Sequence, residues 1–192
     1  MSDEGKIKYG LENVHVAKLT EKDGVITYGT PFKIPGAVDI TVSAEGEITK
    51  FYADNIVYYK SVGNQGYSGS LEVAKIPDQF STEIMGQEED SNGALLENAD
   101  DTISRFALMG EFKNDVKKRR FVYYDCVATR PEQSHHTQEE NTDPQTDTLD
   151  IEMSPRTTDK MVKAVMELND TNSEIFDTWY DEVYEKNAEA SV

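Results

Sequence analysis

With 192 residues and 37% hydrophobic composition, this chain has the length and apolar content for one domain with its own core. Its formal charge of −18 argues against direct nucleic-acid binding, which needs Lys and Arg to neutralise phosphates. No apolar run approaches the roughly 20 residues that cross a bilayer, and the start Met1-Ser2-Asp3-Glu4-Gly5 lacks the pattern of a signal peptide, so neither membrane insertion nor secretion is expected.

The chain reads as mainly β. Asn13 to Leu19 form a first strand. Thr20-Glu21-Lys22-Asp23-Gly24 turns, and Val25 to Tyr28 returns as a hairpin. After the break at Pro35-Gly36, Val38, Ile40 and Val42 alternate with Asp39, Thr41 and Ser43, the period of a half-buried strand. Glu45-Gly46-Glu47 turns the chain, Thr49 to Tyr52 comes back, and Ile56 to Lys60 extends further. Gly63 to Gly69 is glycine-rich but leads into the strand Ser68 to Ile76. It therefore lacks the helix N-terminus that a phosphate loop needs.

At Pro77 the period changes. Asp78 to Gly86 predicts a short helix capped by Asp78, ended by Gly86, with Phe80 and Ile84 on one face. A polar segment, Gln87 to Gly93, follows. Phe106, Leu108 and Phe112 share one face of the next strand. Arg119 to Thr129 is apolar on both faces, which predicts a strand covered on both sides. Within it lies Cys126, the single cysteine. It permits no internal disulfide, fits a reducing cytoplasm, and is expected to be a small buried hydrophobe.

Residues 131–147 are strongly polar and have little to bury, the mark of a functional or disordered loop. Leu149, Ile151 and Met153 then alternate with acids. Val162, Ala164, Met166 and Leu168 form the apolar face of a last strand. Thr171-Asn172-Ser173-Glu174 has capping-box spacing and opens a closing helix over about 172–186. Ile175, Trp179 and Val183, spaced by four, are its expected packed stripe. No linker or fixed-period repeat interrupts residues 1–192, so a single domain is expected.

No catalytic motif is present, and no cofactor or enzymatic activity is expected. His135 and His136 are adjacent and lack further metal-ligand partners at useful spacing. Lys117, Lys118, Arg119 and Arg120 form the one basic cluster, a candidate patch for pairing with acids on another copy.

Taken in order, these elements resemble the major tail proteins of long, non-contractile-tailed bacteriophages of Gram-positive bacteria. The opening Lys8-Tyr9-Gly10-Leu11-Glu12-Asn13-Val14 is similar to that family's start. So are the strand-into-helix passage Leu71 to Gly86 with its Ile76-Pro77-Asp78, and the polar stretch from Glu132-Gln133-Ser134 to Thr148-Leu149, followed by a strand and a closing aromatic helix. The resemblance spans nearly the whole chain but rests on layout and short phrases. It implies a β-sandwich or barrel tail-tube fold with a short central helix and a C-terminal helix. It further implies self-assembly into stacked hexameric rings, made in the host cytoplasm and carried in the virion. The expected partners are other copies, a tape-measure protein and other tail proteins, with DNA passing through the lumen without specific binding.

Under that reading Asp39, Glu45, Glu47, Asp54 and Glu72 are candidate lumen-lining acids. Gln133, His135, His136, Glu139 and Glu140 belong to a candidate assembly loop that orders against the next ring. The alternative is a small β-sandwich carbohydrate-binding module, which would need an exposed aromatic platform drawn from Tyr58, Tyr59, Tyr123 and Tyr124.

Overall fold

The computed structural model describes residues 10–113, 118–133 and 145–186. The strands in chain order are β1 (Leu11–Lys22), β2 (Val25–Tyr28), β3 (Phe32–Lys33), β4 (Ala37–Glu45), β5 (Ile48–Ala53), β6 (Ile56–Val62) and β7 (Gly66–Val73). Helix α1 (Asp78–Glu83) follows. Then come β8 (Glu88–Glu89), β9 (Leu95–Leu96), β10 (Phe106–Phe112), β11 (Arg120–Ala128), β12 (Glu132–Gln133), β13 (Asp147–Met153), β14 (Lys163–Met166) and the short helix α2 (Ser173–Asp177).

The main sheet is antiparallel in order β2-β1-β10-β11-β13-β7-β4, with β3, β12 and β14 attached beside it. β11 divides its pairing: residues 120–123 bond β14 and residues 126–128 bond β13. The sheet curls until β4 again touches β1. This encloses the main core, which the two-residue period assembles. Val14, Val16, Phe106, Leu108, Phe121 and Tyr123 face inward from one side, and Leu71, Val73, Leu149, Ile151 and Met153 from the other. Helix α1 adds Phe80 to this core, and Ile84 just past its end is buried there too. Asp78 is its first helical residue and does not cap it; Pro77 occupies the cap position, where its missing N–H leaves no unmet donor. Gly86 turns the chain away at φ +81°.

The alternate residues of β1, β10 and β11 face a second core: Ala17, Ala107, Met109, Val122 and Tyr124. The C-terminal segment covers it with Trp179 and Val183. β11 is thus buried on both faces, as its apolar sequence required, except at Val127. Cys126 is fully buried within it. Burial drives its thiol pKa strongly upward, which leaves it unreactive.

The closing helix is shorter than the sequence predicts. It spans five residues, and turns carry the chain onward through residue 182. The capping box does not form. Asn172 makes no side-chain cap, and the Asn169 carboxamide oxygen instead accepts from the Thr171 and Asn172 amides. Breaking the helix after Asp177 ends the spacing of four. Trp179 and Val183 are buried, but Ile175 lies at the surface, 38% exposed, and Phe176 takes the buried place. Of the last strand's expected apolar face, Val162 is buried and Leu168 is exposed.

Candidate assembly surfaces

β4–β5 and β6–β7 form one long β-ribbon. Its base, β4 with β7, lies in the main sheet. Its outer part, β5 with β6, pairs only with itself. The two parts meet at Gly46 and Gly63, where the strands approach so closely that a Cβ on Gly46 would lie 2.1 Å from the Gly63 carbonyl oxygen. Asp54 and Asn55 make the tip, both with positive φ (53° and 61°), the conformation of a tight two-residue turn.

This arm is apolar, and nothing among the described residues covers it. Ile48, Phe51, Tyr52, Ile56, Tyr58, Tyr59 and Val62 are each about 60–75% exposed. Phe51 is paired with Tyr59 on one face, while Ile48 is paired with Val62 on the other. Lys50 stands directly opposite Lys60, a like-charge pair that weakens a ribbon on its own. An isolated two-stranded hairpin is marginal in water, and an exposed apolar patch of this extent marks an interaction surface.

The outward face of β4, β7 and β13 has the opposite character. Register aligns Asp39 with Glu72 and Thr148, Thr41 with Ser70 and Asp150, and Ser43 with Ser68 and Glu152. Glu45 ends the same row, where the Ser68 hydroxyl donates to it at 2.5 Å. Thr146 donates to Glu72 at 2.6 Å. The result is a carpet of small hydroxyls and carboxylates over a shallow trough of about 680 Å³. Gly69 on the opposite face of β7 lets β4 cross close by; a Cβ there would lie 1.9 Å from the Thr41 carbonyl oxygen. β4 itself ends the path of main-sheet strands.

A third feature lies between the inner side of β4 and the β11–β14 pair. The main core opens here into a cleft of about 290 Å³. Ile40 and Val42 form one wall, and Phe121, Tyr123 and Val165 the other. Lys163 and Arg119 stand at the cleft, with the Lys163 ammonium 4.3 Å from the centroid of Tyr67.

Two arginines lock the C-terminal segment over the second core. Arg120 pairs with Glu111 at 2.7 Å, donates to the Phe176 carbonyl, and stacks on the rings of Phe176 and Tyr180. Arg156 is buried and bonds Asp159, Glu185 and the Tyr28 hydroxyl over the face of Tyr124. Burial pushes Tyr28 up to about 12, so its hydroxyl stays neutral.

The family model for phage tail tube proteins matches residues 7–189. The chain belongs to the phage tail tube protein family. Two solved structures are similar to this tail tube protein. One is a cryo-EM structure of the anti-feeding prophage cap, described as its tube terminating cap, with a TM-score of 0.46 and 9% identity over 88% of this chain and 98% of that one. The other is a cryo-EM structure of the anti-feeding prophage baseplate, with a TM-score of 0.49 and 10% identity over 87% and 98%. No curated protein matches the chain. Membership of the family makes it a structural component of a virion tail.

In this tail tube protein the five candidate acids do not form one group. Asp39, Glu72 and Glu45 share the outward face, Glu47 sits in the turn after it, and Asp54 is at the far tip of the arm. Asp150 and Glu152 complete the face. Their alternation with Leu149, Ile151 and Met153 was visible in sequence, but their pairing with β7 was not. The basic cluster is also divided. Arg120 is committed within its own subunit by Glu111 and the Phe176 carbonyl, so it is no docking cation. Lys118 is exposed, and Lys117 lies outside the described residues. His135, His136, Glu139 and Glu140 also lie outside them, and of Gln133 only its backbone pairing with Asp147 is described. Tyr123 and Tyr124 are 9% and 0% exposed, because both faces of β11 are covered, and cannot serve as a sugar platform. Among the described residues no cluster of three or more metal-ligating side chains occurs.

Proposed function

We propose that this chain is the major tail-tube subunit of a long, non-contractile-tailed phage of a Gram-positive host, and that it self-assembles into stacked hexameric rings. The observation that carries the reading is the β5–β6 arm, whose large apolar side chains are left in water while other elements of the subunit build its two cores. Exposed apolar surface of this extent marks a site where another chain docks. The end strand β4 offers backbone groups to a neighbour, and a heterologous contact repeated around an axis closes into a ring or continues as a filament.

In the assembled tube the outward face of β4, β7 and β13 lines the lumen. Its carboxylates repel DNA, and its hydroxyls present short, well-hydrated side chains to it. At physiological salt the repulsion acts over about 8 Å, enough to prevent adhesion without opposing passage at a distance. A tape-measure protein occupies this lumen before the genome does.

Sedimentation of the purified chain at increasing concentration, with electron microscopy of the same samples, tests the proposal. Six-fold rings or tubes are the expected products. A species that remains monomeric at high concentration rejects it.

A further inference from the structure

Resting on that reading, we infer that the Asp54 tip of the β5–β6 arm of one subunit inserts into the cleft between β4 and the β11–β14 pair of a second copy. The arm and the cleft match in both apolar character and charge. The tip presents Tyr52, Ile56 and Tyr58, all more than half exposed, around the carboxylate of Asp54. The cleft has an apolar lining of Ile40, Val42, Phe121, Tyr123 and Val165, with the cationic Lys163 and Arg119 among its lining residues. A lysine, Lys163, at an apolar opening suits an apolar finger that ends in a carboxylate.

The cleft is where the main core is unfinished. Val165 is 54% exposed there, while Phe121 and Tyr123 beneath it are nearly buried. No residue of the arm lines the cleft of its own subunit, and the arm's large apolar side chains remain exposed, so the contact is made between copies. The six residues of β5 alone extend about 20 Å at roughly 3.3 Å per residue, which is enough to reach across to a neighbour. Asp54 thereby leaves the set of lumen acids. The contact is heterologous, since the tip and the cleft are different surfaces of the same chain, and it therefore propagates.

Charge exchange in the full-length chain tests this. Asp54→Lys and Lys163→Glu should each raise the concentration needed for assembly by at least about thirtyfold, the loss expected when a desolvated charge pair is broken. Combining the two should restore assembly towards the wild-type value. A second readout is covalent. Ile56→Cys with Val165→Cys should give a ladder of disulfide-linked multimers on oxidation, because Cys126 is buried and contributes no background. The control Val25→Cys with Val165→Cys places the first thiol at an exposed site on β2 and should give none. Tubes that form normally in both single charge variants, or that assemble without the Ile56–Val165 crosslink, overturn the docking and leave the tube reading intact. A wild-type chain that never assembles overturns both.

Discussion

The guanidinium of Arg120 lies 3.9 Å from the centroid of Phe176 and donates to the carbonyl of that same residue. One side chain from β11 thus fixes both the ring and the backbone of α2, while its Nε is held by Glu111 at 2.7 Å. Arg120→Ala should destabilise the subunit by about 2–3 kcal/mol, because it removes the cation from the partly buried Glu111 carboxylate and frees the C-terminal segment. Arg120→Lys should not rescue it, since an ammonium cannot supply the planar fork. Chemical denaturation measures both; equal stability of the Lys variant and wild type would refute the stacking role.

Trp179 is 1% exposed and stacks on Tyr184 with ring centroids 5.3 Å apart. Trp179→Ala should cost about 3–5 kcal/mol and lower Tm by roughly 6–20 °C. Ile175→Ala, at the surface one turn earlier, should change stability by no more than about 0.5 kcal/mol. Thermal unfolding of the pair checks the contrast.

Phe51→Ser with Tyr59→Ser removes the facing aromatic pair of the arm. Both residues are exposed in the subunit, at 59% and 61%. The monomer's Tm should therefore stay within about 0.5 kcal/mol equivalent of wild type. Assembly should be lost. Sedimentation and calorimetry on one preparation separate these effects, and tube formation by the variant would deny the arm its role.

Asp39→Lys with Glu72→Lys reverses two register partners on the outward face. Variant tubes should form, and the virions carrying them should eject DNA more slowly, most of all at low salt where the Debye length is longer. An ejection rate equal to wild type at low salt would mean that the face serves subunit solubility alone.

His15 stacks on Tyr180 with centroids 4.4 Å apart, and its Nδ1 lies 2.8 Å from the Asn13 carbonyl oxygen. Burial lowers its pKa below the usual 6.5, outweighing the carbonyl contact that raises it. The unfolded chain therefore takes up the proton first as pH falls. The stability contribution of neutral His15 is fully present above about pH 6.5 and is lost as pH drops through the lower folded value. His15→Gln should flatten the fall in Tm between pH 7.5 and 5.5. An unchanged slope would assign that fall to the carboxylates.

Most strands and the make-up of the cores were legible from residue order alone. Alternation such as Leu149-Asp150-Ile151-Glu152-Met153 sorts side chains to two faces whichever strand lies alongside, because the β pleat has a period of two. Apolar residues on both faces of β11 required cover on both sides, and that cover is present. What the sequence left open was partnership. Asp39, Glu72 and Asp150 lie on three strands, and only the long-range order β13-β7-β4 makes them one surface. The stripe Ile175, Trp179, Val183 assumed a helix longer than five residues; instead Phe176 within the short helix packs on Arg120, and the turns after Asp177 bring Trp179 to the second core. Tyr58 and Tyr123 belong to equally apolar strands, yet one is 73% exposed and the other 9%. Local patterning cannot distinguish them, because burial depends on whether another element of the fold reaches that face. At β11 one does, and at the arm none does among the described residues.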